Sequence, residues 1–184
     1  MPVLIAAVVL VGALCTLDLV LTLGVVKRLR EHTALISKMA NSQPGRPPVI
    51  GVGEEVGEFS AVAVDGDVLT RESLVGDTLV AFFSPSCGPC HEMMPKFVEY
   101  AKAVNGGREQ VLAVVVGSLD RAKGQVAELS PVARVVVEGG SEAIVADAFQ
   151  IKGFPTLLKV RQDADGRQVI AGNQVDLDAP VVVA

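Results

Sequence analysis

From Val3 to Val26 the chain runs 24 residues without Lys, Arg or Glu, and Asp18 is its only charge. No other feature restricts folding as much, because a helix apolar on every face must leave water entirely. As a helix this run reaches about 36 Å, more than the roughly 30 Å hydrocarbon core of a bilayer. A buried core helix seldom runs so long without a polar face. A cleaved signal peptide fits less well, since no basic residue precedes the run and no small-x-small site closes it. Leu14 before Cys15 departs from a lipoprotein attachment site, so Cys15 reads as a small apolar residue. Asp18 costs about 3 kcal/mol near a bilayer centre and reads as a tolerated polar residue or a contact to a partner helix. Residues 1–26 are expected to be a single-pass anchor, with the lipid bilayer as partner through residues 3–26.

Beyond the anchor the composition changes twice. Residues 27–46 hold five basic side chains and one acid, whereas residues 54–184 hold 11 basic and 19 acidic ones. Leu29, Leu35, Ile36 and Met39 are helically spaced, and Pro44, Gly45, Pro47 and Pro48 make an extended linker, so residues 27–52 read as a juxtamembrane helix and Pro-rich linker. Residues 53–184 then form the folded domain. Acidic, with one Tyr, six Phe and no basic stripe, it is excluded as a nucleic-acid binder. Three cysteines exclude a disulfide scaffold.

Within that domain short apolar runs alternate with helical spacing. Phe59–Val64 and Val68–Thr70 read as strands around an Asp65-Gly66-Asp67 turn. Leu79–Phe83 and Val111–Val116 read as strands buried on both faces. Met94, Phe97, Val98 and Ala101 mark one helix, Ala122–Leu129 a second, and Ile144, Val145, Ala148 and Phe149 the face of a third. Arg134–Val137 is a further strand, and Thr156–Val160 with Gln168–Ala171 a closing hairpin around Asp163–Gly166. The expectation is an α/β domain whose sheet is mainly parallel, covered on both faces, with an antiparallel hairpin at one edge.

Between the strand at Leu79–Phe83 and the helix after it stands Cys87-Gly88-Pro89-Cys90. A Cys opening a helix faces unpaired N–H groups and the positive end of the dipole, which favour its thiolate. Cys90, three residues on, shares that helix face, so one sulfur can attack and the other resolve. Two thiols do not close a zinc site, and His32 and His91 are the only histidines, so no metal is expected. The competitor is haem: Cys87 to His91 spells C-x-x-C-H, with Met93 or Met94 as notional axial ligands. A buried strand leading into the motif, with no haem-sized clearing in the pattern around it, favours dithiol chemistry without cofactor, the redox centre being a Cys87–Cys90 disulfide.

Three separated motifs make residues 54–172 resemble a thioredoxin-like domain of the TlpA type (ResA-like, MauD-like), a group of membrane-tethered bacterial thiol–disulfide oxidoreductases. They are Phe82-Phe83-Ser84-Pro85-Ser86-Cys87-Gly88-Pro89-Cys90, then Pro95 five residues after the second Cys, then Phe149-Gln150-Ile151-Lys152-Gly153-Phe154-Pro155-Thr156. The resemblance implies Cys87 and Cys90 as catalytic pair, supported by Gly88, Pro89 and Pro95. It also implies a cis proline at Pro155 whose neighbour Phe154 docks an incoming peptide. The 65 residues from Cys90 to Pro155 leave room for the extra strand and helix of that type. A client protein with cysteines, and a membrane electron donor or thioredoxin-like reductant, are the implied partners. The Gly-Pro between the cysteines leans toward reduction. A thiol peroxidase fits worse, with no Thr and Pro at peroxiredoxin-like spacing before Cys87.

The chain departs from that pattern in four places. Ser86 stands where a Trp is usual, Ala81 where thioredoxins bury an acid, and Met93 where many TlpA-type members carry Glu. The loss of both acids keeps a non-catalytic scaffold open as an alternative. Asp176–Ala184, broken by Pro180, is too short for the C-terminal helix of the family, so one sheet face is expected to be less covered or to be covered by a partner. Topology is pulled both ways: Lys27, Arg28 and Arg30 place the domain inside by the positive-inside rule, the resemblance places it outside. The resemblance is followed, giving a bacterial plasma-membrane protein with an extracytoplasmic domain.

Overall fold

A computed structural model of the chain describes Gly12, residues 50–139 and residues 143–179. Apart from Gly12, the readings of residues 3–26 as a bilayer span and of 27–49 as a juxtamembrane helix and linker lie outside the described residues. Among the described residues no helix is long and apolar enough to cross a membrane. The element order is β1 (Ser60–Val62), β2 (Val68–Thr70), β3 (Thr78–Phe83), α1 (Gly88–Lys102), β4 (Val111–Val116), α2 (Leu119–Leu129), β5 (Arg134–Glu138), α3 (Ile144–Ala148), β6 (Thr156–Gln162) and β7 (Gln168–Gly172).

Five strands form the central sheet in the order β5-β4-β3-β6-β7, and β1 pairs with β2 in a separate hairpin. Because β3 lies in the middle with both faces covered, all six of its residues are buried. Leu79, Ala81 and Phe83 join one apolar cluster with α1 and α2, including Cys90, Met94, Phe97, Ala122 and Leu129. Val80 and Phe82 join the other, with the β1–β2 hairpin and α3, including Phe59, Leu69, Val145 and Phe149. Phe149 packs against Phe82 and Phe59 at ring-centroid distances of 5.3 and 6.1 Å. Ile50 is buried in that second cluster, and Gly53 and Val56 donate to the carbonyls of Ile170 and Gln168, covering the outer edge of β7.

The sheet is not mainly parallel. β3–β4 and β4–β5 are parallel, while β3–β6 and β6–β7 are antiparallel. Helix length decides this. At about 1.5 Å per residue, α1 and α2 reach roughly 22 and 16 Å, enough to carry the chain back along a strand of five or six residues. The five residues of α3 reach only about 7 Å. The chain therefore enters β6 at the end where β3 stops, with Thr156 opposite Phe82, and must run the other way.

That same short helix overturns a second detail. Ile144, expected on its buried face, is half exposed, and Ala146 is buried in its stead. Glu138, buried at the end of β5, accepts the N–H groups of Val145 at 2.6 Å and Ala146 at 3.1 Å. This anchor turns Val145, Ala146 and Phe149 inward and Ile144 outward. At the other end Ile151 donates to the Ala146 carbonyl and Gln150 to that of Asp147, with Gln150 at φ 51°. This is the Schellman arrangement that ends the helix and throws the chain into the loop before β6.

Candidate redox site

The Cys87-Gly88-Pro89-Cys90 segment is where β3 hands over to α1. Cys87 is the N-cap of α1, in extended backbone conformation, and Pro89 sits in the first turn, where a missing N–H costs nothing. The Cys87 N–H donates to the Ser84 carbonyl at 3.1 Å, closing a tight turn. The Cys87 sulfur accepts the Cys90 N–H at 3.2 Å. Cys87 and Cys90 are joined as a disulfide, with Cα atoms 5.2 Å apart. The sulfurs are unequal in access: Cys90 is wholly buried, Cys87 only partly.

What surrounds the pair is apolar and uncharged at close range. The first turn of α1 holds no acid. Ala81 is fully buried in the cluster that contains Cys90, so the position of the absent acid is a packed methyl group. Met93 packs partly buried against the same cluster, Met94 is buried, and Glu92 is exposed. The His91 Nε2–H donates to the Pro85 carbonyl at 3.1 Å, which holds the exposed ring against the loop before the cysteines. Pro95 lies inside α1, exposed, two turns along.

The loop at 149–155 returns to this cluster. The Phe154–Pro155 peptide is cis. Phe154, partly buried, packs on both apolar clusters, and on one of them it joins Cys87, Met93, Val175 and Leu177. Pro155, Thr156 and Leu157 line an open trough of about 550 Å³ with residues 173–176. Thus Phe154, from the loop before β6, meets Cys87, from the start of α1, in one apolar cluster.

No helix follows β7 among the described residues. Residues 173–179 instead lie back toward α1: Val175 and Leu177 pack on the cluster that contains Cys90, and Lys96 pairs with both oxygens of Asp178 at 2.9 and 3.0 Å. Farther along that face Lys159 and Arg161 stand exposed beside Tyr100, Val104 and Ala171 in a trough of about 520 Å³.

Sequence reasoning missed two buried polar side chains near this end of the sheet. Gln125 of α2 donates to the Ser84 carbonyl at 3.4 Å. Glu138 holds the N-terminus of α3; burial pushes its carboxyl above the usual range, against the two N–H bonds that favour its charge, and Asp147 adds to the rise. Among the described residues no group of three His, Cys, Asp or Glu side chains is placed to hold a metal.

The family model described as Thioredoxin matches residues 67–179. Among solved structures, the chain is similar to the thioredoxin domain of a thiol-disulfide oxidoreductase from Bacteroides vulgatus, at 16% identity and TM-score 0.52, over 68% of this chain and 91% of that one. It is also similar to a thiol:disulfide interchange protein from Bacteroides sp., at 17% identity and TM-score 0.55, over 70% and 84% of the two chains. A third likeness is to MTB dsbF, at 19% identity and TM-score 0.50, over 65% and 87%. At these identities the likeness is one of fold. No curated protein matches the chain.

Proposed function

The chain belongs to the thioredoxin family, and from that premise we propose that it is a thiol–disulfide oxidoreductase exchanging disulfides with client proteins through Cys87 and Cys90. The observation that carries this reading is the Cys87–Cys90 disulfide at the N-terminus of α1, one sulfur partly exposed and the other buried. In the reduced protein the Cys87 thiolate, favoured by the helix N-terminus and the Cys90 N–H, attacks a client disulfide. A Cys87–client bond forms, the client bond breaks, and one client sulfur leaves and takes a proton. Cys90 then attacks the Cys87 sulfur, the mixed disulfide breaks, and the second client sulfur leaves with the proton that Cys90 gives up. A reductant of the dithiol class, a membrane electron donor or a thioredoxin-like protein, returns the two electrons.

Several finer points belong to the same proposal. Gly88 and Pro89 between the cysteines favour reduction over oxidation. The TlpA-type subgroup is supported by α2 and β5, inserted between β4 and the short helix before Pro155. The trough beside Pro155 gives an extended client segment a place to lie, with Phe154 at its head. An N-terminal bilayer anchor at residues 3–26 and an extracytoplasmic domain rest on the sequence reading. Maturation of a partner enzyme that contains cysteines is a function such an arrangement suits.

Three experiments test the reading. Catalysed reduction of insulin disulfides by dithiothreitol is expected with the wild-type chain and lost in Cys87→Ser; an inert wild type removes the redox proposal and leaves a scaffold. A visible spectrum checks the c-type haem alternative, against which stand the sulfurs bonded to each other and His91 turned to Pro85. For topology, a membrane-impermeant thiol reagent applied to intact, mildly reduced cells should label Cys87; labelling only after lysis puts the domain inside.

A further inference from the structure

Gln125 occupies a position its polarity opposes. It is 4% exposed, on the buried face of α2 with Ala122 and Leu129, which pack in the cluster enclosing Cys90. Its Nε2 donates to the Ser84 carbonyl at 3.4 Å, while its Oε1 is buried with no hydrogen-bond partner among the described residues. Leucine would fill similar space without an unpaired acceptor, and unpaired buried acceptors are costly enough to be rare. Nor does the Ser84 carbonyl need the amide for satisfaction, since it already accepts the Cys87 N–H at 3.1 Å. What the amide adds is a second hold on that peptide group. The turn from Ser84 to Cys87 puts the Cys87 sulfur at the helix cap, where it accepts the Cys90 N–H. Gly117, just ahead of α2, lies so close to the adjoining Pro85 that a Cβ there would stand 2.7 Å from its Cδ.

We propose that Gln125 is a positioning residue for the attacking thiol: by gripping the Ser84 carbonyl it fixes the turn that seats Cys87 at the N-terminus of α1. The proposal rests on the disulfide-exchange reading above. It makes α2 part of the active site and gives this chain, with Ala81 and Met93 in place of acids, a neutral buried group that tunes Cys87 rather than a carboxylate that serves Cys90. It also predicts a trade: Gln125 is kept for reactivity at the expense of stability.

The test uses the full chain, reduced, with iodoacetamide as the probe of Cys87 and the rate followed from about pH 4 to pH 10 across the ordinary thiol range. In Gln125→Leu the melting temperature should equal or exceed wild type, while alkylation slows about three- to tenfold below neutral pH. The two rates should converge at alkaline pH, where the thiol is ionised in both; a tenfold loss corresponds to an upward shift of about one pH unit in the thiol titration. Gln125→Glu should stay near the wild-type rate while its carboxyl is protonated and can donate to Ser84, then fall behind as it ionises and repels the thiolate. Wild-type pH profiles in both variants overturn the proposal, as does a loss in Gln125→Leu that is equal at every pH and tracks a lower melting temperature. If wild type itself has no thiol more reactive than free cysteine, the disulfide-exchange reading falls too; a reactive wild type with indifferent variants sinks Gln125 alone.

Discussion

Replacing Gly117 with alanine should damage the active site from outside it. A Cβ at Gly117 would stand 2.7 Å from Pro85 Cδ and 3.0 Å from Cγ, against 3.4–4 Å for ordinary contact. The two loops must therefore part by about 0.7 Å or more at this point. Neither gives way freely: the Pro85 ring is rigid and followed by the Ser86–Cys87 turn, and the Gly117 N–H is pinned to the Glu138 carbonyl at 2.8 Å. Overpacking of this kind costs about 1–3 kcal/mol, or roughly 3–10 °C in melting temperature for a domain of this size. Thermal melts of Gly117→Ala read the cost, and alkylation of reduced Cys87 reads how much of the strain reaches the thiol. Pro85→Ala removes both clashing atoms, so the double variant should recover part of the loss, a coupling measurable as a double-mutant cycle. Wild-type stability in Gly117→Ala, or full additivity with Pro85→Ala, would refute the contact.

Three further outcomes are expected. The Glu138 carboxyl is raised chiefly by burial, so the native state binds its proton more tightly than the unfolded chain; its contribution is greatest below the ordinary value of 4.5 and is lost as pH rises through the raised one. Urea unfolding across that window should show the decline in wild type and a flatter profile in Glu138→Gln. Ala81→Asp and Met93→Glu should speed resolution of a mixed disulfide in stopped-flow experiments, with Ala81→Asp losing about 1–3 kcal/mol for burying an acid; if neither is faster, the proton of Cys90 leaves by another route. Leu177→Ala should cost about 1–2 kcal/mol in denaturant titrations because it uncovers the α1 face, whereas Lys96→Ala, breaking an exposed and solvent-screened pair with Asp178, should leave the unfolding midpoint nearly unchanged.

The parts of this site that are local in sequence are legible in the sequence alone. A five-residue apolar run ending at Phe83, a Cys at the helix cap and a proline at N1 or N2 are short-range signals, and β3, α1 and Cys87–Cys90 lie where those signals put them. What was not legible is long-range. The pairing of β6 with β3 depends on how far α3 can carry the chain, and five residues of helical spacing do not by themselves announce where a helix stops. Ile144 was misplaced because the contact that orients α3 comes from Glu138, across the chain, and not from the helix's own periodicity. Gln125 was read past because a Gln beside Val126 on an amphipathic helix normally faces water; only the Ser84 carbonyl above it reveals otherwise. The signal that was available is its spacing, three after Ala122 and four before Leu129, on the buried stripe.

The division of labour between the two cysteines is the claim on which the mechanism depends, and one comparison measures it. Cys87→Ser and Cys90→Ser chains are expressed in cells, thiols are blocked, and non-reducing gels with mass spectrometry read the disulfide-linked complexes. With Cys87 attacking and Cys90 buried behind it, Cys90→Ser should accumulate mixed disulfides with client proteins through Cys87, and Cys87→Ser should trap almost none. Equal trapping by the two variants, or trapping by neither, would contradict the assignment.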